Sequence, residues 1–503
     1  MKNLILLLLG VPFLFLTSGC DKFLDRKPLT ATLDDLNQGG LEGQIFGIYA
    51  SLRNPDGATG CGNGFGGIPW LAFHGFRSDD SEKGSSASDG ADWGVIFDEF
   101  QYVKDHWSTN TYWDNHYTFI GLCNTAIQFA DSLELNDLAS RQNVAEARFF
   151  RAFAYFDLVR SYGEVPKIDF RVYNAAEANI PKSSVTEIYT LIDEDLQFAA
   201  ANLPLNWGTK YPGRLTTGAA KTLHAKSMLY RQQWAPALGL LQQVMSSGEY
   251  ALMADYNKVF TEDGENKEES IFEVQCYTGP NGQDNYWSWY AVSQGVRGSD
   301  AWDLGWGWNA PTQSLVDAMV DTTSGTSKPD PRRNATILFS GQSDGSYGAV
   351  LPEYPSIPRK FWNKKVYTNP SVRAFTGERQ GWWVNQRELR YADVLLMAAE
   401  AANEIGGTAN EALAVDLLKQ VRARVGLPQV DFVDKAKMRA AIQNERRIEM
   451  GMENERFFDL VRWGLASSVL GPLGYQNKHR YYPIPQPAID RSGGVLVQNP
   501  EWP

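Results

Sequence analysis

Apolar side chains recur every three or four positions through much of this chain, the spacing that draws one stripe along an α-helix. In Ala145–Tyr162 the residues Phe149, Ala152, Phe153, Phe156 and Val159 fall at intervals of 3, 1, 3 and 3, and Gly163 followed by Pro166 supplies the stop. The same period predicts helices over Tyr112–Ala130, Val185–Ala200, Gly218–Arg231, Pro236–Met245, Tyr391–Glu404, Glu411–Val425, Lys435–Met450 and Glu455–Leu465. One stretch has the other period. In IFEVQC the residues Phe272, Val274 and Cys276 alternate with their neighbours, which predicts a strand over Ser270–Cys276 with Cys276 as a buried structural thiol.

Two helical segments repeat each other. APALGLLQQV (235–244) and ALAVDLLKQV (412–421) agree at six of ten positions without a gap, each after another helix and a short turn, Gln232–Trp234 or Gly406–Asn410. A helix, a turn and a second helix opening on small residues is the pattern of a tetratricopeptide hairpin; two unrelated amphipathic helices of the same period would also match. Residues 249–388 lack this periodicity and are rich in Gly, Pro, Asn, Asp, Trp and Tyr, and a second irregular block covers Asn54–Ser108. Long irregular segments inside a compact protein tend to carry function. The predicted fold is mainly α, a tetratricopeptide-like helical-hairpin scaffold with large irregular loop insertions and a few short strands.

The N-terminus carries a different pattern. Lys2 precedes an apolar run from Leu4 to Leu16, broken only by Gly10 and Pro12, and the small residues Thr17, Ser18 and Gly19 lead into Cys20. These are the flanks of a secretory signal, and the run is shorter than the about 20 apolar residues of a membrane-spanning helix. A small-residue cleavage site running directly into cysteine resembles the bacterial lipoprotein signal, although Thr17 stands where an aliphatic residue is usual. The expectation is a signal peptide over residues 1–19, lipidation of Cys20, a tether over 20–40 and one domain over 41–503. Two or more acyl chains give stable anchoring.

Composition narrows the function. The chain is 43% hydrophobic and 21% charged, as an ordinary folded protein is, and its net charge of −12 implies no basic surface for nucleic acid. Besides Cys20 there are only Cys61, Cys123 and Cys276, so at most one internal disulfide would form and this is not a disulfide scaffold. Five histidines without metal-ligand spacing give no sign of a metal site, and no nucleotide or dinucleotide fingerprint suggests a cofactor. The excess is in tryptophan, sixteen in all.

Several segments in fixed order identify a family. EARFFRAFAYFDLVRSYGEVP (Glu146–Pro166) closely resembles a signature of the SusD/RagB lipoproteins of Bacteroidetes, which capture nutrients at the cell surface. The stretches Arg214–Tyr230, Trp234–Phe260, Glu268–Val274, Leu389–Glu404, Gln443–Gly464 and Tyr481–Pro487 are similar to further family segments, as is the CDKFLD start at Cys20. The resemblance implies a tetratricopeptide-like scaffold, an extracellular binding face, outer-membrane localisation and a SusC-like TonB-dependent transporter on which the lipoprotein sits as a lid. Relatives hold sugars by loop aromatics at positions that vary, so no ligand set transfers.

The densest aromatic stretch, Tyr286–Trp308, supplies the glycan-binding candidates Trp287, Trp289, Tyr290, Trp302, Trp306 and Trp308. Trp287 and Trp289 share a face if extended, and Gly305 and Gly307 leave the backbone free to present Trp306. Some of these rings would form a small satellite core under the loops, but polar neighbours, among them Ser288, Ser293, Gln294 and Asn309, argue against a cluster that is wholly buried. An indole covers the C–H face of a sugar ring, while neighbouring amides meet its hydroxyls. From the first block come Trp93 and the pair Asp79 and Asp80, whose carboxylates would accept from sugar hydroxyls, hold a cation or, as the plainer role, cap the following turn. The C-terminal charges Glu445–Arg462 are expected to be structural, with Arg446 against Glu449 and Glu453, Asp459 against Arg462, and pairing across adjacent helices.

The expected activity is non-enzymatic capture of oligosaccharides for delivery to the transporter. A peptide-binding member of the family is the alternative. A secreted glycosidase would need two suitably spaced carboxylates, for which Asp79, Asp80, Asp300 and Asp303 are the candidates.

Overall fold

The computed structural model describes residues 39–53, 64–279, 285–322 and 327–502. The expected signal, Cys20, most of the tether and Cys61 lie outside the described residues. The scaffold comprises α1 (Gly40–Arg53), α2 (Trp107–Ser132), α3 (Leu138–Tyr162), α4 (Val185–Asn202), α5 (Thr217–Tyr230), α6 (Trp234–Met245), α7 (Tyr391–Ile405), α8 (Thr408–Arg424), α9 (Lys435–Glu449) and α10 (Arg456–Arg462). Each predicted helix is present. α2 and α3 begin earlier than their apolar stripes, because their first turns are fixed by caps: the His106 ring accepts from Ser108 N–H, and Asp137 accepts from Ser140 N–H. α4 opens with a full capping box between Ser184 and Glu187. α10 is shorter than predicted, ending at Arg462.

α3 departs from the one-stripe expectation. From Asn143 to Tyr162 only Arg148 escapes burial. α2 and α4 flank it on two sides, and Phe272 packs its ring edge-on against Phe149 and Phe150. The charges this drags inside each find a partner: Glu146 with Arg214, Arg151 with Asp195 at 2.8 Å, and Arg160 with Asp157. Buried charges of this kind persist only when paired.

The sequence repeat proves to be a structural one. α5–α6 and α7–α8 are antiparallel hairpins, and α6 packs against α7, so the two units stack although the whole second excursion separates them in the chain. That excursion is pinned at its root. Strand β2 (Ser270–Val274) leaves the scaffold and β4 (Gln386–Arg390) returns to it antiparallel, with Ser270 opposite Arg390 and Val274 opposite Gln386. β1 (Ser81–Gly84), from the first irregular block, pairs with β3 (Trp308–Pro311), so the two excursions are stitched together. The predicted strand stops at Val274; Cys276 beyond it is half-buried, and burial pushes its thiol up to about 12. Cys123 and Cys276 are free thiols.

The C-terminal charges pair across elements. Arg446 binds Asp393 and Asp459 rather than Glu449 and Glu453, and Glu449 instead meets Arg332, Arg390 and Arg424. Of the pairings expected by name, Asp459–Arg462 forms, at 2.8 Å. These ion pairs lock α7, α8, α9 and α10 to the root of the excursion.

Candidate functional site

A short helix, Trp289–Gln294, organises the aromatic excursion. Ser288 caps it in an extended conformation, its hydroxyl accepting from Tyr290 N–H, so that Trp287 lies before the helix and Trp289 is the first helical residue. The turn 379–383 packs on this helix. Gly381 has φ of +93°, and a Cβ there would lie 3.2 Å from Val292 N, so backbone freedom and close approach both call for glycine. The turn delivers Trp382 between the two tryptophans. Its ring stacks on Trp287 with centroids 5.4 Å apart and meets Trp289 edge-on at 4.8 Å.

These three indoles form one surface cluster. Trp287 is 38% exposed, and Trp289 and Trp382 are half-buried. The edge N–H groups are used inside the protein: Trp287 Nε1 donates to Thr278 Oγ1 at 2.7 Å, and Trp382 Nε1 to the Arg379 carbonyl at 3.0 Å. Next along, Trp383 Nε1 donates to Glu262 at 2.6 Å. From the same turn the Arg379 guanidinium sits 3.7 Å from the centre of the half-buried Trp306 ring. Ring faces are thus held in fixed orientation by bonds at their edges, which suits stacking on a sugar.

The remaining candidates are placed elsewhere. Trp93, Trp308 and Tyr290 are only 4%, 5% and 7% exposed, so none offers an open ring. Trp93 and Trp308 pack against each other at 5.3 Å, and Tyr290 stands edge-on to Trp70. Trp302 is half-buried against the satellite core of Val296, Leu304, Ile357 and Trp362. Four of the polar neighbours are themselves inside, whereas Ser299 and Asp300 are exposed. Ser288, Ser293, Gln294 and Asn309 are buried, and Gln294 Oε1 accepts from the amides of Asn309 and Asn363. Gly305 does not loosen the backbone: it admits Val292 O, 2.3 Å from where its Cβ would stand.

Asp79 and Asp80 are engaged by arginines rather than capping the following turn. Asp79 is bound by Arg456 and Arg447, both at 2.8 Å, and Asp80 by Arg447 at 2.7 Å, tying the first excursion to the C-terminal segment. The two guanidiniums outweigh the effect of burial and hold Asp79 below the usual carboxylate range. Among the described residues no cluster of three or more His, Cys, Asp or Glu is arranged to hold a metal ion. Sequence reasoning missed Trp382, Trp383 and Arg379. Their signal was the tandem tryptophan after glycine in RQGWW (379–383), in a stretch less aromatic than 286–308.

Two hollows lie away from this cluster. One, of about 370 Å³, is bounded by Phe100, Tyr102, His479 and Trp502. The other, a cleft of about 760 Å³ over the scaffold, is lined by Tyr189, Tyr230, Phe458, Trp463 and Arg480. Neither includes any of the three indoles, of which Trp287 is the most exposed.

Residues 268–479 match the family model described as SusD family, and residues 72–229 match a second described as starch-binding associating with outer membrane. Together the two matches span most of the chain and support its membership of the SusD/RagB family. It is similar to SusD-like protein P2 of Formosa agariphila, 28% identical over 429 residues, spanning 80% of this chain and 82% of that one. Among solved structures it resembles a laminarin-binding SusD-like protein, with TM-score 0.74 and 26% identity over 92% of this chain and 99% of that one. The fold is shared with surface glycan-binding protein A of Bacteroides thetaiotaomicron, solved with laminarihexaose, at TM-score 0.72 and 23% identity over 91% and 98% of the two chains.

Proposed function

We propose that this protein is a surface lipoprotein that captures oligosaccharides on Trp287, Trp289 and Trp382 and hands them to a SusC-like TonB-dependent transporter. In this reading the signal over 1–19 is removed, lipidated Cys20 anchors the chain to the outer membrane facing outward, residues 20–40 act as a tether, and 41–503 form the binding domain. The observation that carries capture is the three-indole cluster, in which Trp287 is exposed and the edges of Trp287 and Trp382 are fixed by hydrogen bonds. The laminarin-binding relative supports a carbohydrate ligand. Binding without hydrolysis is supported by the state of three of the four carboxylates that a glycosidase would recruit: Asp79, Asp80 and Asp303 are all engaged by arginines. Calorimetric titration with β-glucan oligosaccharides and a wider glycan panel tests capture. Saturable binding of at least one glycan is expected; binding of none refutes it. Co-purification of the tethered protein with its transporter tests delivery.

One observation favours peptide capture as a second reading: the 760 Å³ cleft leaves part of the helical scaffold open rather than filled by the insertions. Titration with a peptide library separates the two. Peptide binding that survives Trp287→Ala but falls on Trp463→Ala would favour the cleft.

A further inference from the structure

Arg379 has more hydrogen-bonding capacity than the protein uses. Its Nε donates to Asp303 Oδ1 at 3.0 Å, and its guanidinium lies 3.7 Å from the Trp306 ring centre. These two contacts fix the plane of the group. The terminal nitrogens Nη1 and Nη2 have no acceptor among the described residues, and the side chain is 24% exposed. Asp303 is shared, because Arg373 reaches its other oxygen at 3.1 Å. One carboxylate therefore serves two guanidiniums. Arg297, beside the Trp306 carbonyl, is matched by Asp89, while Asp300 and Glu378 are exposed to water. The Arg379 backbone carbonyl accepts from Trp382 Nε1, so this arginine and the Trp382 indole belong to one tight turn.

We propose that Arg379 recognises an oxyanion substituent, a uronate carboxylate or a sulfate ester, on a glycan lying across Trp382 and Trp287. The inference rests on the capture reading above. A guanidinium offers two parallel N–H donors that match the paired oxygens of a carboxylate or sulfate, and such charge-assisted bonds are about twice as strong as neutral ones. A stacked, pre-oriented arginine loses little freedom on binding. In a chain of net charge −12 a guanidinium left half-neutralised beside a ligand surface is selective for acidic groups at short range, whereas long-range steering of a polyanion is unfavourable.

The test is calorimetry with three oligosaccharides of matched length: a neutral glucan, an oligouronate and a sulfated oligomer. Each is titrated into the wild type, Arg379→Gln, Arg379→Lys and Trp382→Ala. The expected result is that one acidic oligomer binds wild type about tenfold or more tighter than the neutral one, by analogy with the cost of losing a charged hydrogen bond. Arg379→Gln brings that ratio near one. Arg379→Lys restores part of it, because charge returns without the fork. Which acidic oligomer gains distinguishes carboxylate from sulfate. Trp382→Ala weakens every ligand the wild type binds. A neutral glucan bound as tightly as both acidic oligomers, with Arg379→Gln leaving the ratio unchanged, overturns the inference while the indole surface stands. Failure of all three ligands on wild type, or indifference to Trp382→Ala, overturns the capture reading and the inference with it.

Discussion

Trp287→Ala isolates the contribution of one open ring. The side chain retains 38% of its accessible surface in the free protein. An indole buries up to about 250 Å² when fully covered, so a sugar stacked on Trp287 would remove roughly 95 Å² from water. At about 25 cal/mol per Å² this amounts to about 2 kcal/mol, inside the range of about 1–3 kcal/mol for stacking a ring on an aromatic side chain. The expected loss of affinity is about thirtyfold. Folding should survive: among the described residues the ring stacks only on Trp382 and donates one bond to Thr278. Isothermal titration of wild type and variant with the tightest glycan measures the change, and a thermal melt checks integrity. Trp107→Ala is the control, since Trp107 is 48% exposed but packs edge-on against Trp93, away from the indole cluster. A loss under threefold for Trp287→Ala in a folded variant, or an equal loss for Trp107→Ala, would refute the reasoning.

Further outcomes follow from the same geometry. Gly381→Ala sets a Cβ 3.3 Å from Ala291 Cβ at φ of +93°, so it should displace Trp382 and weaken glycan binding several-fold, at a cost of about 1–2 kcal/mol in stability; unchanged affinity would contradict the role given to this turn. Arg390→Ala leaves Glu269, Glu449 and Glu453, which the guanidinium binds at 2.7–2.8 Å, without a partner they share. Loss of about 3–5 kcal/mol in denaturant unfolding is expected, and a loss under 1 kcal/mol would count against the locked root. Glu265 is pushed by burial from 4.5 up to about 7, against the pull of Arg387. The folded state then holds a proton that the unfolded chain has released, so stability from this group is complete below about pH 4.5 and falls as pH rises to about 7. Glu265→Gln should flatten that part of the stability–pH curve; parallel curves for the two proteins would show the shift to be absent.

Most of the scaffold is legible in the sequence because helix period and helix caps are local. The stacked hairpins α5–α6 and α7–α8 announce themselves through a repeated decapeptide. α1 went unread: residues 40–53 mix glycine, serine and arginine with their apolar positions. The site is less legible, for a physical reason. Trp287 and Trp382 meet only because the turn at Gly381 folds back on the Trp289–Gln294 helix, a contact between segments far apart in the chain. Polar surroundings also proved a poor guide to exposure. Around Trp308, Lys83 spends its charge on the Ser86 and Asp89 carbonyls and on the Trp308 ring at 5.3 Å, so the polar groups pair with one another and the indole stays inside. Asp79 and Asp80 misled in the same way, because their partners Arg447 and Arg456 arrive from the opposite end of the chain.

Hydroxyl-radical footprinting read by mass spectrometry, with and without saturating glycan, reports directly on which rings a ligand covers. Capture on the indole cluster predicts protection of Trp287 and Trp382 with Trp107 oxidised equally in both states. Equal oxidation of Trp287 and Trp382 in the free and glycan-saturated protein would contradict it.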